Sequence, residues 1–106
     1  MRPRVLILEP HDDVRMLLEL SMQRLGYEPV APADGSPDEI DAVLLEPSWT
    51  HGRTILRRLG DDIPPVVCLS IFPREAGLAP PESVAYLIKP ASLDALGDAL
   101  RDACAC

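Results

Sequence analysis

Four polar side chains stand at or near the ends of apolar runs in this chain. Glu9 follows "VLIL" (5–8), Glu46 follows "AVLL" (42–45), Ser70 lies in "VVCLSI" (66–71) and Lys89 follows "VAYLI" (84–88). A carboxylate that ends a buried run is costly on its own, because the lost hydration of an isolated charge is not recovered by packing. Two carboxylates, a hydroxyl and an ammonium gathered at one crevice can instead satisfy each other. The chemistry open to them is charge pairing and hydrogen bonding, provided that the runs end side by side.

The runs are apolar at consecutive rather than alternating positions, which predicts strands covered on both faces, as in a parallel sheet. "YEPVA" (27–31) is a fifth, weaker strand candidate. Between the first two runs, "DDVRMLLELSMQRLG" places Val14, Leu17, Leu18, Ser21 and Leu25 on one helical stripe. Asp12 or Asp13 can cap its start and Gly26 can end it. "SLDALGDALRDA" repeats the device with Ser92 as cap and Leu93, Leu96, Leu100 and Ala103 on the stripe, and "TILRRLG" (54–60) makes a shorter helix ended by Gly60. This alternation predicts a doubly wound α/β sheet of about five strands. Such sheets bind ligands beyond the carboxyl ends of their strands, where strand order reverses. Glu9, Glu46, Ser70 and Lys89 are expected to converge there.

The helical cover is uneven. The chain has 12 prolines, and they cluster where further helices are due. "APADGSPDEID" (31–41) has room for barely one turn. "FPREAGLAPPES" (72–83) holds a short helix at best before Pro80 and Pro81 stop it. One face of the sheet is expected to be thinly covered.

Composition narrows the function. A chain of 106 residues suits one domain, spanning 1–106. Its formal net charge of −7 repels a phosphate backbone, so nucleic acid is not expected as a direct partner. No apolar run approaches the roughly 20 residues that cross a bilayer, and "MRPRVLILEPHDD" turns acidic too early for a signal peptide. A cytoplasmic location is expected, with no membrane partner. Cys68, Cys104 and Cys106 are an odd, badly spaced set for disulfides, so reduced thiols are the default. "CAC" (104–106) with His11 or Cys68 could form a soft-metal or redox site, but Cys68 falls in an apolar strand and the pair on a final turn is a weak signal. "PHDD" (10–13) reads better as a helix start than as a metal site. His11 and His51 have no nucleophile at recognisable spacing, and there is no phosphate-binding loop or dinucleotide fingerprint. No enzymatic activity is expected.

The site residues and the order of elements resemble the receiver domain of two-component response regulators. "RVLILEPHDDVRMLLELSMQRLGYEPV" is similar to that family's first strand, acidic loop and first helix, "DAVLLEP" to the strand carrying its phosphoacceptor, and "VVCLS" and "YLIKP" to its fourth and fifth strands. The resemblance implies a flavodoxin-like sheet in the order 2-1-3-4-5, with the family's second helix lost or very short and its fourth shortened. It places Glu46 at the phosphoacceptor, Glu9 and Pro10 at the acidic pair, Ser70 and Lys89 at the two phosphoryl contacts and Tyr86 at the aromatic switch. It also implies a cis Lys89–Pro90 peptide, an isomer that X–Pro bonds tolerate.

Two departures bear on function. Pro10 offers no ligand oxygen where the family has an Mg²⁺ ligand, which leaves Glu9, Glu46 and the Ser48 carbonyl as weak candidates. No cofactor is therefore expected. Glu46 is one methylene longer than the family's aspartate, which misplaces its oxygen for in-line attack on phosphorus. The expectation is an atypical receiver acting through protein contacts independently of phosphorylation. Retained Mg²⁺ binding or phosphoryl transfer, and a thiol or metal protein, are the alternatives. Glu46 beside Lys89 either imitates the phosphorylated state or belongs to a drifted site whose charges merely pair. The resemblance points to a protein partner or homodimer on the face formed by the family's fourth helix, fifth strand and fifth helix, with a sensor kinase as one possible partner. Trp49 is either a lid over the crevice or an exposed anchor.

Overall fold

The computed structural model describes residues 2–32 and 39–105. Along the chain come β1 (Arg4–Leu8), α1 (Asp12–Leu25), β2 (Glu28–Val30), β3 (Ala42–Leu45), α2 (Thr50–Arg57), β4 (Val66–Ser70), β5 (Ser83–Ile88) and α3 (Leu93–Cys104). All pairings are parallel and the order is β2-β1-β3-β4-β5, the flavodoxin-like order expected. Strand order reverses beside β1 and β3. Register does the positioning: Leu8 lies opposite Leu45, so Glu9 and Glu46 leave the sheet together. Ser70 lies opposite Ile88, so Lys89 emerges one residue beyond. Two further backbone bonds extend these ladders into the site, Glu46 N–H to Leu8 O at 3.0 Å and Lys89 N–H to Ser70 O at 2.8 Å.

The consecutive apolar runs are explained by two cores. Val5, Ile7, Ala42, Leu44, Val67 and Leu69 pack on one face with Leu18 and Met22 of α1 and Leu96 and Leu100 of α3. Leu6, Leu8, Val43, Leu45, Val66 and Cys68 pack on the other with Leu56 of α2. The second face has one α-helix among the described residues, plus a single 3-10 turn at Arg74–Ala76 where the family's fourth helix is expected. The expected loss of the second helix falls on 33–38, outside the described residues.

Several local expectations are corrected. His11, not Asp12 or Asp13, is the N-cap of α1, and it makes no side-chain capping bond. Its N–H is instead taken by Glu9, while Asp12 and Asp13 sit in the first turn, where negative charge suits the helix dipole. The buried stripe of α1 runs through Leu18 and Met22, flanked by Val14 and Leu25, and Leu17 is 65% exposed. Four-residue spacing from Leu18 selects Met22 and turns Leu17 outward. Leu93 of α3 and Ile71 beyond β4 are also exposed. α2 begins at Thr50 rather than Thr54. The added first turn carries Gly52, whose missing side chain leaves the room that the Trp49 ring occupies. Gly26 does end α1, with φ of 92°, and the Ser92 side chain does cap α3, accepting from Ala95 N–H at 3.0 Å.

Candidate functional site

Two corners of the sheet are built alike. Leu8-Glu9-Pro10 ends β1 and Leu45-Glu46-Pro47 ends β3. In each, the proline has no N–H to offer, and the carboxylate bonds the N–H one residue further on. Glu9 Oε2 accepts from His11 N at 3.0 Å, and Glu46 Oε1 accepts from Ser48 N at 3.1 Å. Both carboxylates are buried, Glu9 at 2% exposure and Glu46 at 5%.

Lys89 joins the corners. Its Nζ donates to Glu9 Oε1 at 2.5 Å and to Glu46 Oε2 at 2.9 Å. The remaining oxygens are also engaged. Glu46 Oε1 accepts from the hydroxyls of Ser48 at 2.6 Å and Ser70 at 2.8 Å, and Glu9 Oε2 lies 3.1 Å from His11 Nδ1. No buried side-chain nitrogen or oxygen lacks a partner among the described residues. Burial pushes the Glu46 carboxyl up, but the bonds from Ser48, Lys89 and Ser70 outweigh it and hold the group below the ordinary glutamate value. Burial likewise pushes the Lys89 ammonium down, and Glu9 and then Glu46 carry it above the ordinary lysine value. The arrangement stabilises the charged forms of Glu46 and Lys89.

From this cluster a hydrogen-bonded path leads to the surface. Ser70 Oγ, while donating to Glu46, accepts from Phe72 N–H at 3.1 Å. The Tyr86 hydroxyl donates to Phe72 O at 2.7 Å. The two expected switch positions therefore grip one residue, Phe72, by its backbone N–H and its backbone carbonyl, in the two successive peptides that flank its Cα. The Lys89–Pro90 peptide is cis.

Above the cluster lies a cavity of about 470 Å³, with Glu46, Ser48 and Lys89 at its polar end and Pro10, Val14, Trp49, Ile71 and Phe72 as apolar wall. Trp49 is the lid: it is half-buried, it packs against the second core, and its ring meets His51 edge-on at 5.4 Å. A Cβ on Gly52 would stand 2.6 Å from Trp49 Cε3. Alanine in a helix is ordinarily better than glycine by about 1 kcal/mol, but here the overpacked ring reverses the sign, and Gly52→Ala is expected to lose about 1–3 kcal/mol. Urea titration followed by the emission of this sole tryptophan tests it. The expected result is a lower midpoint with red-shifted native emission; a raised midpoint with unchanged emission refutes the lid packing.

The structure brings Glu9, Glu46, Ser70 and Lys89 together and links Tyr86 to them through the backbone of Phe72. It does not bring the cysteines together. Cys68 packs in the second core, bonded to Ser83 Oγ at 3.3 Å with its thiol pKa pushed up by burial, whereas Cys104 packs against the first core across the sheet. Cys106 lies outside the described residues. Among the described residues no three His, Cys, Asp or Glu side chains are grouped to hold a metal. Three contributors escaped the sequence reading: the Ser48 hydroxyl, the His11 N–H and Phe72. The repeated Leu-Glu-Pro was the available signal for the first two. Nothing local marked Phe72.

A five-stranded parallel sheet in this order is the flavodoxin-like fold, which the receiver domains of two-component response regulators share. Solved structures with this fold match nearly the whole chain. A response regulator receiver protein from Burkholderia phymatum matches with a TM-score of 0.76 at 20% identity, over 98% of this chain and 96% of that one. A sensor protein from Polaromonas matches with a TM-score of 0.75 at 23% identity, over 99% and 98%. The response regulator TrrA from Thermotoga maritima, solved in complex with Mg²⁺ and BeF, matches with a TM-score of 0.71 at 19% identity, over 94% and 97%. At such identities the likeness is one of fold. No protein-family model matches the sequence, and no curated protein matches it. No helix among the described residues is long and apolar enough to cross a membrane.

Proposed function

We propose that this protein is an atypical receiver module of bacterial signal transduction, a single cytoplasmic domain that works by protein contact and independently of phosphorylation. The observation that carries the reading is the Lys89 bridge. With its ammonium between Glu9 and Glu46, each of the four carboxylate oxygens already holds a hydrogen-bond partner. Mg²⁺ requires near-octahedral oxygen ligation, and Pro10 contributes no side-chain oxygen. The residues present do not fit the ion, and no phosphoryl-transfer step is derived for them.

The bond from Ser70 to Glu46 favours a fixed switch over charges that merely pair. In a drifted site, nothing would require the hydroxyl to span the carboxylate and the Phe72 peptide. The loop so held exposes Ile71 and Phe72, and Ile88, opposite Ser70 at the end of β5, is exposed beside it, all three of them apolar. A protein partner that covers this patch fits its chemistry, because a cluster of exposed apolar side chains beside a polar rim is the usual mark of a contact surface.

Intact mass after incubation with Mg²⁺ and acetyl phosphate tests the reading on wild type, Glu46→Asp and Pro10→Asp/Glu46→Asp. The expected result is that only the double variant gains a phosphoryl group. A wild-type gain overturns the proposal.

A further inference from the structure

We infer that the outer face of α1 binds the same face of a second copy of this chain, antiparallel, across a two-fold axis. The inference is independent of the phosphorylation reading. It starts from an exposed apolar strip that the fold leaves uncovered: Met16, Leu17 and Leu20 are 59%, 65% and 57% exposed on a helix whose opposite side already supplies the core. Beside the strip a groove is lined by Leu17, Leu20, Ser21 and Leu93, so the apolar surface continues onto α3.

Charge identifies the occupant. At about 100° per residue, Asp13, Leu17, Leu20 and Arg24 fall within about 60° of one line along the helix. The line reads acid, apolar, apolar, base, and it is symmetric about the midpoint between Leu18 and Glu19. Laid antiparallel on a copy of itself, it sets Asp13 against Arg24 of the other copy, Leu17 against Leu20, and the same again in reverse. Both charged residues are exposed, and neither has an ion-pair partner among the described residues; the neighbouring Asp12 is taken by Arg15. Antiparallel packing also brings each helix's positive end to the other's negative end. A closed two-fold contact must be self-complementary in this way. Met16 thickens one flank of the contact and Leu93 the other. A strip of this size places the dimer at the weak, concentration-dependent end of specific interfaces.

Sedimentation velocity of the intact chain at about 0.15 M salt, where exposed charges interact over roughly 8 Å, tests the inference. Over a concentration series reaching about 500 µM, the mass is expected to rise from the monomer's 11.6 kDa toward twice that value. Asp13→Arg and Arg24→Asp, which each create two like-charge contacts per dimer, are expected to weaken association about tenfold or more, and Leu20→Glu to abolish it. The exchange Asp13→Arg/Arg24→Asp is expected to restore association to within about threefold of wild type, with circular dichroism confirming that each variant is folded. A wild type that stays monomeric assigns the face to some other chain and overturns the inference. A dimer indifferent to the single reversals, or an exchange no better than its parts, overturns it as well.

Discussion

Lys89→Met is expected to lose about 3–5 kcal/mol of stability at neutral pH, the usual cost of removing one partner from a buried charge group. Whole domains of this kind are stable by only about 5–15 kcal/mol, so the variant should sit near its unfolding threshold. The size of the effect follows from what the substitution leaves behind. Glu9 and Glu46 are almost fully buried, and Lys89 itself has only 17% of its side chain exposed, so water gives little screening. Methionine matches the apolar stem in shape and length, which confines the change to the lost ammonium. Urea titration measures the loss. A shift worth less than about 1 kcal/mol, typical of exposed pairs, would mean that solvent reaches the cluster and the buried-bridge description is wrong. Replacing all three, Glu9→Gln/Glu46→Gln/Lys89→Met, should recover a large part of the loss, since no unpaired charge remains.

The same triad sets the pH dependence of folding. Glu46 is held below its unfolded value, so its contribution is fully present above that value, about 4.5, and is lost as pH falls through the depressed folded value. Lys89 is held above its unfolded value near 10.5, so its contribution is present below that pH and is lost as pH rises through the raised folded value. A plateau between about pH 5 and pH 10, falling at both ends, is the expected urea-midpoint profile. In Lys89→Met the acid limb should flatten, because Glu46 loses one of the bonds that hold its carboxyl below the ordinary value while burial still pushes it up. Parallel acid limbs in the two proteins would show that Lys89 does not hold the Glu46 carboxyl down.

How far the sequence can be read depends on what each signal measures. The central strands β1, β3 and β4 were legible because consecutive apolar residues report burial on both faces, and that is where these three lie, whereas the edge strands β2 and β5 are partly exposed and gave a weaker or misleading signal of their cover. The convergence of Glu9, Glu46, Ser70 and Lys89 was legible because strand ends in such a sheet share one edge. The rotation of α1 was not. Leu17 and Leu18 have equal hydropathy, and which of them faces inward is settled only by packing, with Met22 one turn on from Leu18 in the first core. The start of α2 was hidden because Gly52 weakens a helix locally and fits under Trp49 only tertiarily. The grip on Phe72 joins residues 2 and 14 positions away through its backbone, a contact that carries no side-chain pattern.

The Lys89 bridge also ties together residues 80 and 43 positions apart. Closing a loop of that length costs about 4 kcal/mol of chain entropy before any contact repays it, so the bridge forms only on a sheet already assembled through its last strand. The Ile71–Phe72 loop is held from the last two strands, by Ser70 of β4 and Tyr86 of β5. A chain that ends before β5 lacks Tyr86 and Lys89 alike, so the grip on Phe72 and the charge bridge both depend on the last strand being in place.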